Sequence, residues 1–257
     1  QSLRSGSSPS LEEALSGQVK RSGRLAASSR ETLFEILARE VFEGQPADVR
    51  DFLLISATLR ELSVDACDSL RSIDGRSVRD SEAMLNYLRK QELFVVDHSD
   101  GGLRYHHIFH EFLRQQATDD QRREWHLRAA RYFESCHSED AAIQHFLLAK
   151  FWDTAASLLE SYGSLLVAGG RLDSLGAYID ALPPETLHQH PGLLFYLGDL
   201  ARLGSRFQEA LGWYQQAEAI WRGRGQLEGV GRALRGQARV YLDTVNPSRA
   251  EELLEQA

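Results

Sequence analysis

Cysteine, lysine and long apolar runs are scarce in this chain of 257 residues. Its two cysteines, Cys67 and Cys136, are too few for a disulfide framework, and no secretory signal opens the sequence, so we expect a reducing, cytoplasmic location. No apolar run approaches the roughly 20 residues that a membrane-spanning helix needs, so the sequence predicts no membrane span. The formal net charge of -8 argues against a protein that coats nucleic acid.

The motifs of common catalytic and cofactor sites are also missing. The sequence contains no GxxxxGK[ST] phosphate loop, no GxGxxG after a strand, no GxSxG elbow, no HExxH helix and no CxxC pair. We therefore expect no catalytic residue and no enzyme activity in this chain, and no cofactor held by this chain alone. The sequence favours a role in binding and regulation.

The first half of the chain predicts three helices, a small hairpin and a further helix. The third helix is predicted over about 79–91, with Ala83, Leu85 and Leu88 on its buried face. The helical spacing of apolar residues then ends, and two short β-prone runs flank a turn signal at Ser99 to Gly102. This order is typical of a winged helix, which we place at residues 29–118, with the hairpin as its wing.

Small residues recur at helical spacing in the second half. One set of positions comprises Leu194, Gly198, Ala201, Ala210, Tyr214 and Ala217. The same spacing recurs 40 residues later at Leu234, Ala238, Tyr241, Ala250, Leu254 and Ala257. Small side chains let paired antiparallel helices approach closely, and the pattern resembles the tetratricopeptide repeat. An irregular helical bundle is the alternative.

These patterns predict a mainly α fold. A winged-helix domain with a small β-hairpin wing is followed by tetratricopeptide-like helical repeats in a right-handed superhelix. We place truncated repeats at residues 191–257. Residues 119–190 are expected to form a helical linker or arm with repeat-like helix pairs, because Phe151 to Pro191 matches the repeat poorly.

Three histidines lie close together after the predicted wing: His106, His107 and His110. A spacing of three places His107 and His110 on one side of a helix, where a metal ion such as zinc could use them, but no convincing further ligand follows. We therefore predict no metal site. A structural role, with one ring packed and the others solvated, and a contact with a nucleotide phosphate are the other interpretations.

The segment from Leu103 to Arg114, LRYHHIFHEFLR, resembles the RYHHLFxxxLR signature of MalT-like regulators. These are LuxR-type large ATP-binding proteins, signal-transduction ATPases of the STAND class. The earlier run from Leu33 to Leu54 resembles the stretch ahead of the winged helix in the same family. With the repeats, the resemblance covers residues 30–257.

The resemblance implies an order of parts. An ATPase core precedes the winged helix in the family, so residues 1–28 would be the flexible end of its helical subdomain and the chain would be part of a larger regulator. ADP or ATP would bind the parent protein. The implied partners are the upstream ATPase core in cis and an unknown inducer or protein at the repeats, while DNA would be contacted only through an effector domain that this chain lacks.

The resemblance also implies a nucleotide contact. In related STAND proteins a Met-His-Asp motif at the wing places its histidine against the β-phosphate of bound ADP and holds the off state. Tyr105, His106 and His107 match these positions, which makes His106 the candidate contact with the ADP phosphate and the other two its neighbours in the site. His107 departs from the aspartate of the motif.

Two other functions remain open from the sequence. A winged helix often reads DNA with its third helix, but the basic and acidic residues between Asp74 and Glu92 balance to zero. A free-standing repeat scaffold would bind a peptide or protein partner. Arg232, Arg235 and Arg239, at i, i+3 and i+7 of one helix, are the predicted ligand or partner surface, with a solvated face as the alternative.

Overall fold

The computed structural model describes residues 35–72, 80–91, 95–97, 102–244 and 247–256. The predictions for residues 1–28 and for the turn at Ser99 lie outside these ranges. Contacts within the chain define two compact units, with the division between Thr118 and Asp119. We call them the winged-helix unit and the repeat unit.

The winged-helix unit contains the three predicted helices, the hairpin and the further helix, and one more helix precedes them. Its elements are α1 (residues 35–43), α2 (Ala47–Ser56), α3 (Val64–Arg71), α4 (Ser81–Lys90), β1 (Val95–Asp97), β2 (Leu103–Tyr105) and α5 (His107–Gln116). The two strands pair antiparallel, with Val95 opposite Tyr105. The Leu62 amide donates to the Leu103 carbonyl at 2.7 Å, so a single residue occupies the position of a third strand beside the wing.

The core of the winged-helix unit is formed by one face of each helix. On α4 this face consists of Ser81, Leu85 and Leu88, which follow each other at i, i+4 and i+7. Ala83 is exposed, so its predicted burial is wrong. It lies two residues, or about 200°, from Leu85 around the helix, and the leucine pair decides which face is buried.

The repeat unit is entirely helical over its described residues. Its elements are α6 (Asp119–Ser135), α7 (Glu139–Leu148), α8 (Trp152–Ala168), α9 (Leu172–Asp180), α10 (Pro184–Gln189), α11 (Pro191–Leu203), α12 (Phe207–Gly223), α13 (Leu227–Asp243) and α14 (Pro247–Glu255). The predicted fold class, mainly α with a small hairpin and helical repeats, is confirmed. No helix in the described ranges is long and apolar enough to cross a membrane.

One type of turn recurs between these helices. Each turn contains a residue with φ between 54° and 69°, namely His137, Lys150, Gly170, Ser205 or Gly225. The next amide donates to the carbonyl five residues earlier, as from Arg206 to Ala201 at 2.8 Å, which is the Schellman pattern of a helix C-terminus. The turns at 137, 170 and 205 join α6 to α7, α8 to α9 and α11 to α12. Their spacing is close to the tetratricopeptide period of about 34 residues.

Tyr214 is the largest fully buried side chain of the repeat unit. It lies on α12 against the backbones of α11 and α13, because glycines stand at the two contact points. A Cβ atom at Gly198 would lie 2.5 Å from the tyrosine ring, and one at Gly236 would lie 2.7 Å from it. The small-residue prediction for Gly198 therefore has a physical cause, whereas Leu254, predicted at an equivalent repeat position, is 48% exposed.

Candidate functional site

The histidine segment lies where the wing ends and α5 begins. Tyr105 is the last residue of β2, His106 is the N-cap residue of α5, and His107 is the first residue of that helix. The His106 and His107 rings are neighbours, with their centroids 4.6 Å apart. His106 is half-buried and His107 is exposed. The start of a helix also presents backbone N–H groups and a positive dipole end, which favours anions.

Tyr105 points into the winged-helix unit. Its hydroxyl lies 2.7 Å from the Ser56 hydroxyl at the end of α2, and its ring packs edge-on against Phe109. The Ser56 hydroxyl donates to the Phe52 carbonyl, so the Tyr105 hydroxyl is the donor of the shared bond. Burial raises the pKa of Tyr105 well above its ordinary value. Tyr105 therefore anchors the segment from below, and its hydroxyl is not presented at the surface.

His110 is held by the backbone of the end of α2. Its Nε2 lies 2.6 Å from the Ala57 carbonyl oxygen, so this nitrogen carries the proton and donates. Burial lowers the pKa of His110, although the hydrogen bond to Ala57 partly offsets it. Among the described residues no group of three or more His, Cys, Asp and Glu side chains is placed to hold a metal ion. The zinc interpretation of His107 and His110 thus has no ligand set in these ranges.

Three arginines of the winged-helix unit are paired with carboxylates. Arg89 on α4 bonds to Asp97 on β1 at 3.2 Å, and Arg104 on β2 pairs with Glu61. Arg71 on α3 likewise pairs with Asp80, the residue that precedes α4. DNA affinity depends on cations that are available to neutralise phosphates, so these pairs argue against DNA reading by this part of the unit.

The three predicted arginines lie together in the repeat unit. Arg232, Arg235 and Arg239 project from α13 into a concavity of about 420 Å³. We call it the arginine groove. Its other lining residues come from two further helices: Ser164, Val167 and Ala168 on α8, and Phe195, Tyr196 and Asp199 on α11.

Aromatic rings and one carboxylate shape the groove. The Arg232 guanidinium lies 4.2 Å from the Phe195 ring centroid and 4.9 Å from that of Tyr196, in cation–π contact. Asp199 is buried and accepts a hydrogen bond from the Tyr214 hydroxyl at 2.7 Å. Burial raises the pKa of Asp199, while the Tyr214 bond and nearby arginines counter this effect.

Sequence reasoning missed the contribution of α11 to this groove. The 40-residue alignment contains a signal that could have found it, because Phe195 and Asp199 are the repeat equivalents of Arg235 and Arg239. First helices of successive repeats line the same concave surface. The same reasoning also missed Asp140, which bonds to Arg171, Tyr162 and Tyr178 and so ties α7 to α8 and α9.

Comparisons with known proteins agree with this arrangement. Residues 38–125 match the family described as the MalT winged helix domain. The chain is 28% identical over 235 residues to the HTH-type transcriptional regulator MalT of Vibrio cholerae, covering 88% of this chain and 25% of the relative. It is 29% identical over 245 residues to the MalT regulator of Cronobacter sakazakii, covering 92% of this chain and 26% of the relative.

A solved structure shares the fold. A STAND protein with a tetratricopeptide repeat sensor from Pyrococcus horikoshii superimposes with a TM-score of 0.54 at 13% identity, over 86% of this chain and 36% of that protein. At this identity the likeness shows a shared fold, and the class that the architecture defines is a winged helix followed by helical repeats. By sequence the chain is similar to the MalT regulators, and its residues 38–125 match the MalT winged helix domain. It spans about a quarter of the length of the two regulators.

Proposed function

We propose that this chain is the control region of a multidomain bacterial transcription regulator with an ATPase core. In this proposal the winged helix holds the nucleotide-bound off state, and the helical repeats sense an inducer. The observation that carries it is the position of His106 at the junction of β2 and α5, in a winged helix of the MalT family. We expect the regulator to work in the cytoplasm and to contact DNA through an effector domain outside this chain.

His106 is the residue that would contact the ADP phosphate. An imidazole N–H donates to phosphate oxygens, and the first turn of α5 adds backbone donors with a favourable dipole. The ATPase core would supply the remaining nucleotide contacts. The buried Tyr105 hydroxyl fixes the strand immediately before His106, which keeps the histidine at the edge of the unit, and the exposed His107 lies beside it.

Control would then be a shift between two conformations. An inducer bound at the repeats changes the balance only if it binds the open form more tightly than the closed form. The arginine groove is the candidate inducer site, because it is a concave surface formed by three first helices. The chain itself would perform no reaction in this scheme.

The test uses the full-length regulator with a His106→Ala substitution. We expect ADP to bind at least about tenfold more weakly, the loss typical of a hydrogen bond to a charged group, and basal transcription activation to rise. The readouts are an ADP titration and a reporter assay without inducer. His137→Asn is the matched control, since it removes a histidine from a turn of the repeat unit where asparagine tolerates the left-handed backbone. Unchanged ADP affinity in a protein that stays inactive would contradict the role of His106.

A further inference from the structure

The arginines of the groove differ in their pairing from several other arginines of the repeat unit. Arg202 bonds to Asp243 at 2.9 Å, Arg222 to Glu218 at 2.6 Å, and Arg171 to Asp140 at 2.7 Å. Across the described residues, in contrast, no hydrogen bond or ion pair involves the guanidinium groups of Arg232, Arg235 and Arg239. Three like charges on one helix face repel each other, and a bound anion would remove that repulsion.

The carboxylate that lines the groove cannot balance the three positive charges of this row. Asp199 is the single acidic residue among those that line the groove, and it is buried with its oxygen engaged by the Tyr214 hydroxyl. The lining therefore has an excess of positive charge.

The arginine groove also holds its hydrogen-bond donors, the arginine guanidinium groups, in position before a ligand binds. Arg232 is half-buried with its guanidinium against two aromatic rings, which fixes the plane of the group and leaves its N–H edge for an oxyanion. Arg235 and Arg239 are exposed on the same helix face, one and two turns further along. The row covers about 10 Å at the helical rise of 1.5 Å per residue, so its members can hold one anionic group and reach along the body that carries it.

The size and walls of the groove favour a small molecule. Its volume of about 420 Å³ lies within the usual range of small-ligand sites, roughly 300–1,000 Å³. Val167 and Ala168 supply apolar surface beside the cations. This combination suits a molecule with a charged end and a ring-sized body.

We propose that the arginine groove binds a small organic oxyanion, either a phosphate monoester or an ionised carboxylic acid, attached to a ring-sized body. The inference extends the proposed function, because the oxyanion would be the inducer that the repeats sense. Arg232 would hold the oxyanion with Arg235, and Arg239 would extend the positive surface along the ligand.

The experiment titrates probes onto the 257-residue chain and follows the arginine Nε–Hε signals by NMR. The probes are phenyl phosphate, benzoate, inorganic phosphate and the neutral benzyl alcohol. We expect saturable binding of phenyl phosphate or benzoate, with shifts in the three groove arginines. Preference for phenyl phosphate would assign a phosphorylated ligand, and preference for benzoate a carboxylate. Arg235→Gln and Arg239→Gln should each weaken binding about tenfold, as expected for a lost charge-assisted hydrogen bond.

Arg222→Gln is the matched control, because Arg222 lies on α12 outside the groove and its side chain is 61% exposed. It should leave probe affinity unchanged. Failure of both aromatic anions to saturate would overturn the proposal. Equal weakening by Arg222→Gln would also overturn it, since the attraction would then be diffuse rather than local to the groove. Binding of benzyl alcohol or of inorganic phosphate as tight as that of the aromatic anions would overturn it too. None of these results depends on nucleotide, so failure here leaves the His106 test intact, and failure there leaves the groove intact.

Discussion

A buried tyrosine lies beneath each of the two candidate sites. In the winged-helix unit the Tyr105 hydroxyl bonds to Ser56 and anchors the strand that leads to His106. In the repeat unit the Tyr214 hydroxyl bonds to Asp199, a lining residue of the arginine groove. Burial raises the pKa of both tyrosines, so both hydroxyls stay protonated and can donate at neutral pH.

The two tyrosines differ in the hydrogen-bond partners of their hydroxyl groups. Ser56 is neutral and also donates to the Phe52 carbonyl, so the anchor of the winged-helix unit has no charge to satisfy. Asp199 is ionisable and buried, so the floor of the arginine groove depends on protonation. The histidine segment thus rests on a support that pH does not change, whereas the groove rests on one that pH can change.

The largest expected effect concerns the packing around Tyr214. Gly198→Ala would place a methyl group 2.5 Å from a ring that α11 and α13 hold on both sides, so something must shift. We expect the free energy of unfolding to fall by about 2–3 kcal/mol, the upper part of the range for overpacked cores. Urea denaturation followed by circular dichroism measures this change.

A matched glycine on α12 should behave in the opposite way. A Cβ at Gly212 meets nothing within 4 Å, so Gly212→Ala should raise the free energy of unfolding by up to about 1 kcal/mol through helix propensity. If both substitutions had the same sign, close packing against Tyr214 would not be the reason for glycine at 198.

The next effect compares the two hydroxyls directly. Tyr214→Phe leaves the buried Asp199 carboxylate without its donor, and we expect a loss of about 2–3 kcal/mol. Tyr105→Phe leaves Ser56 bonded to Phe52, so the loss should be about 1 kcal/mol. Thermal or urea unfolding of the two variants at pH 7 measures the difference. Equal losses would mean that the charge of Asp199 does not matter to its bond with Tyr214.

The sequence predicts helical faces better than the junction between a strand and a helix. The row from Arg232 to Arg239 stays on one face, because a single helix of constant period contains all three arginines. Along β2 the alternation also holds, since Leu103 and Tyr105 are buried and Arg104 is less so. After Tyr105 the period changes from two to 3.6, so no single pattern predicts where the His106 and His107 rings point.

Hydrophobic periodicity does not predict the contacts between segments that are distant in the sequence. The close packing of Tyr214 depends on Gly236, which is 22 residues further along the chain. That glycine is not one of the positions that recur at 40 residues. Leu254 fits the repeat by spacing, yet it is 48% exposed. At both Gly236 and Leu254, packing against particular neighbouring residues matters more than the repeat period alone.

The smallest expected effect separates two aspartates of the repeat unit by the sign of their pH dependence. Burial raises the pKa of Asp199 above its ordinary value of 3.8, so ionisation of Asp199 costs stability as the pH rises through the raised value. Hydrogen bonds from Arg171 and two tyrosines lower the pKa of Asp140, so its stabilisation is present above 3.8 and is lost as the pH falls through the lowered value. Asp199→Asn should therefore gain stability relative to the wild type between pH 4 and 7, by an amount on the order of 1 kcal/mol. Asp140→Asn should be less stable than the wild type near neutral pH, and the deficit should shrink in acid. Urea unfolding across this pH range measures both variants. Slopes of the same sign would contradict the opposite pKa shifts of the two carboxylates and would show that burial does not dominate the environment of Asp199.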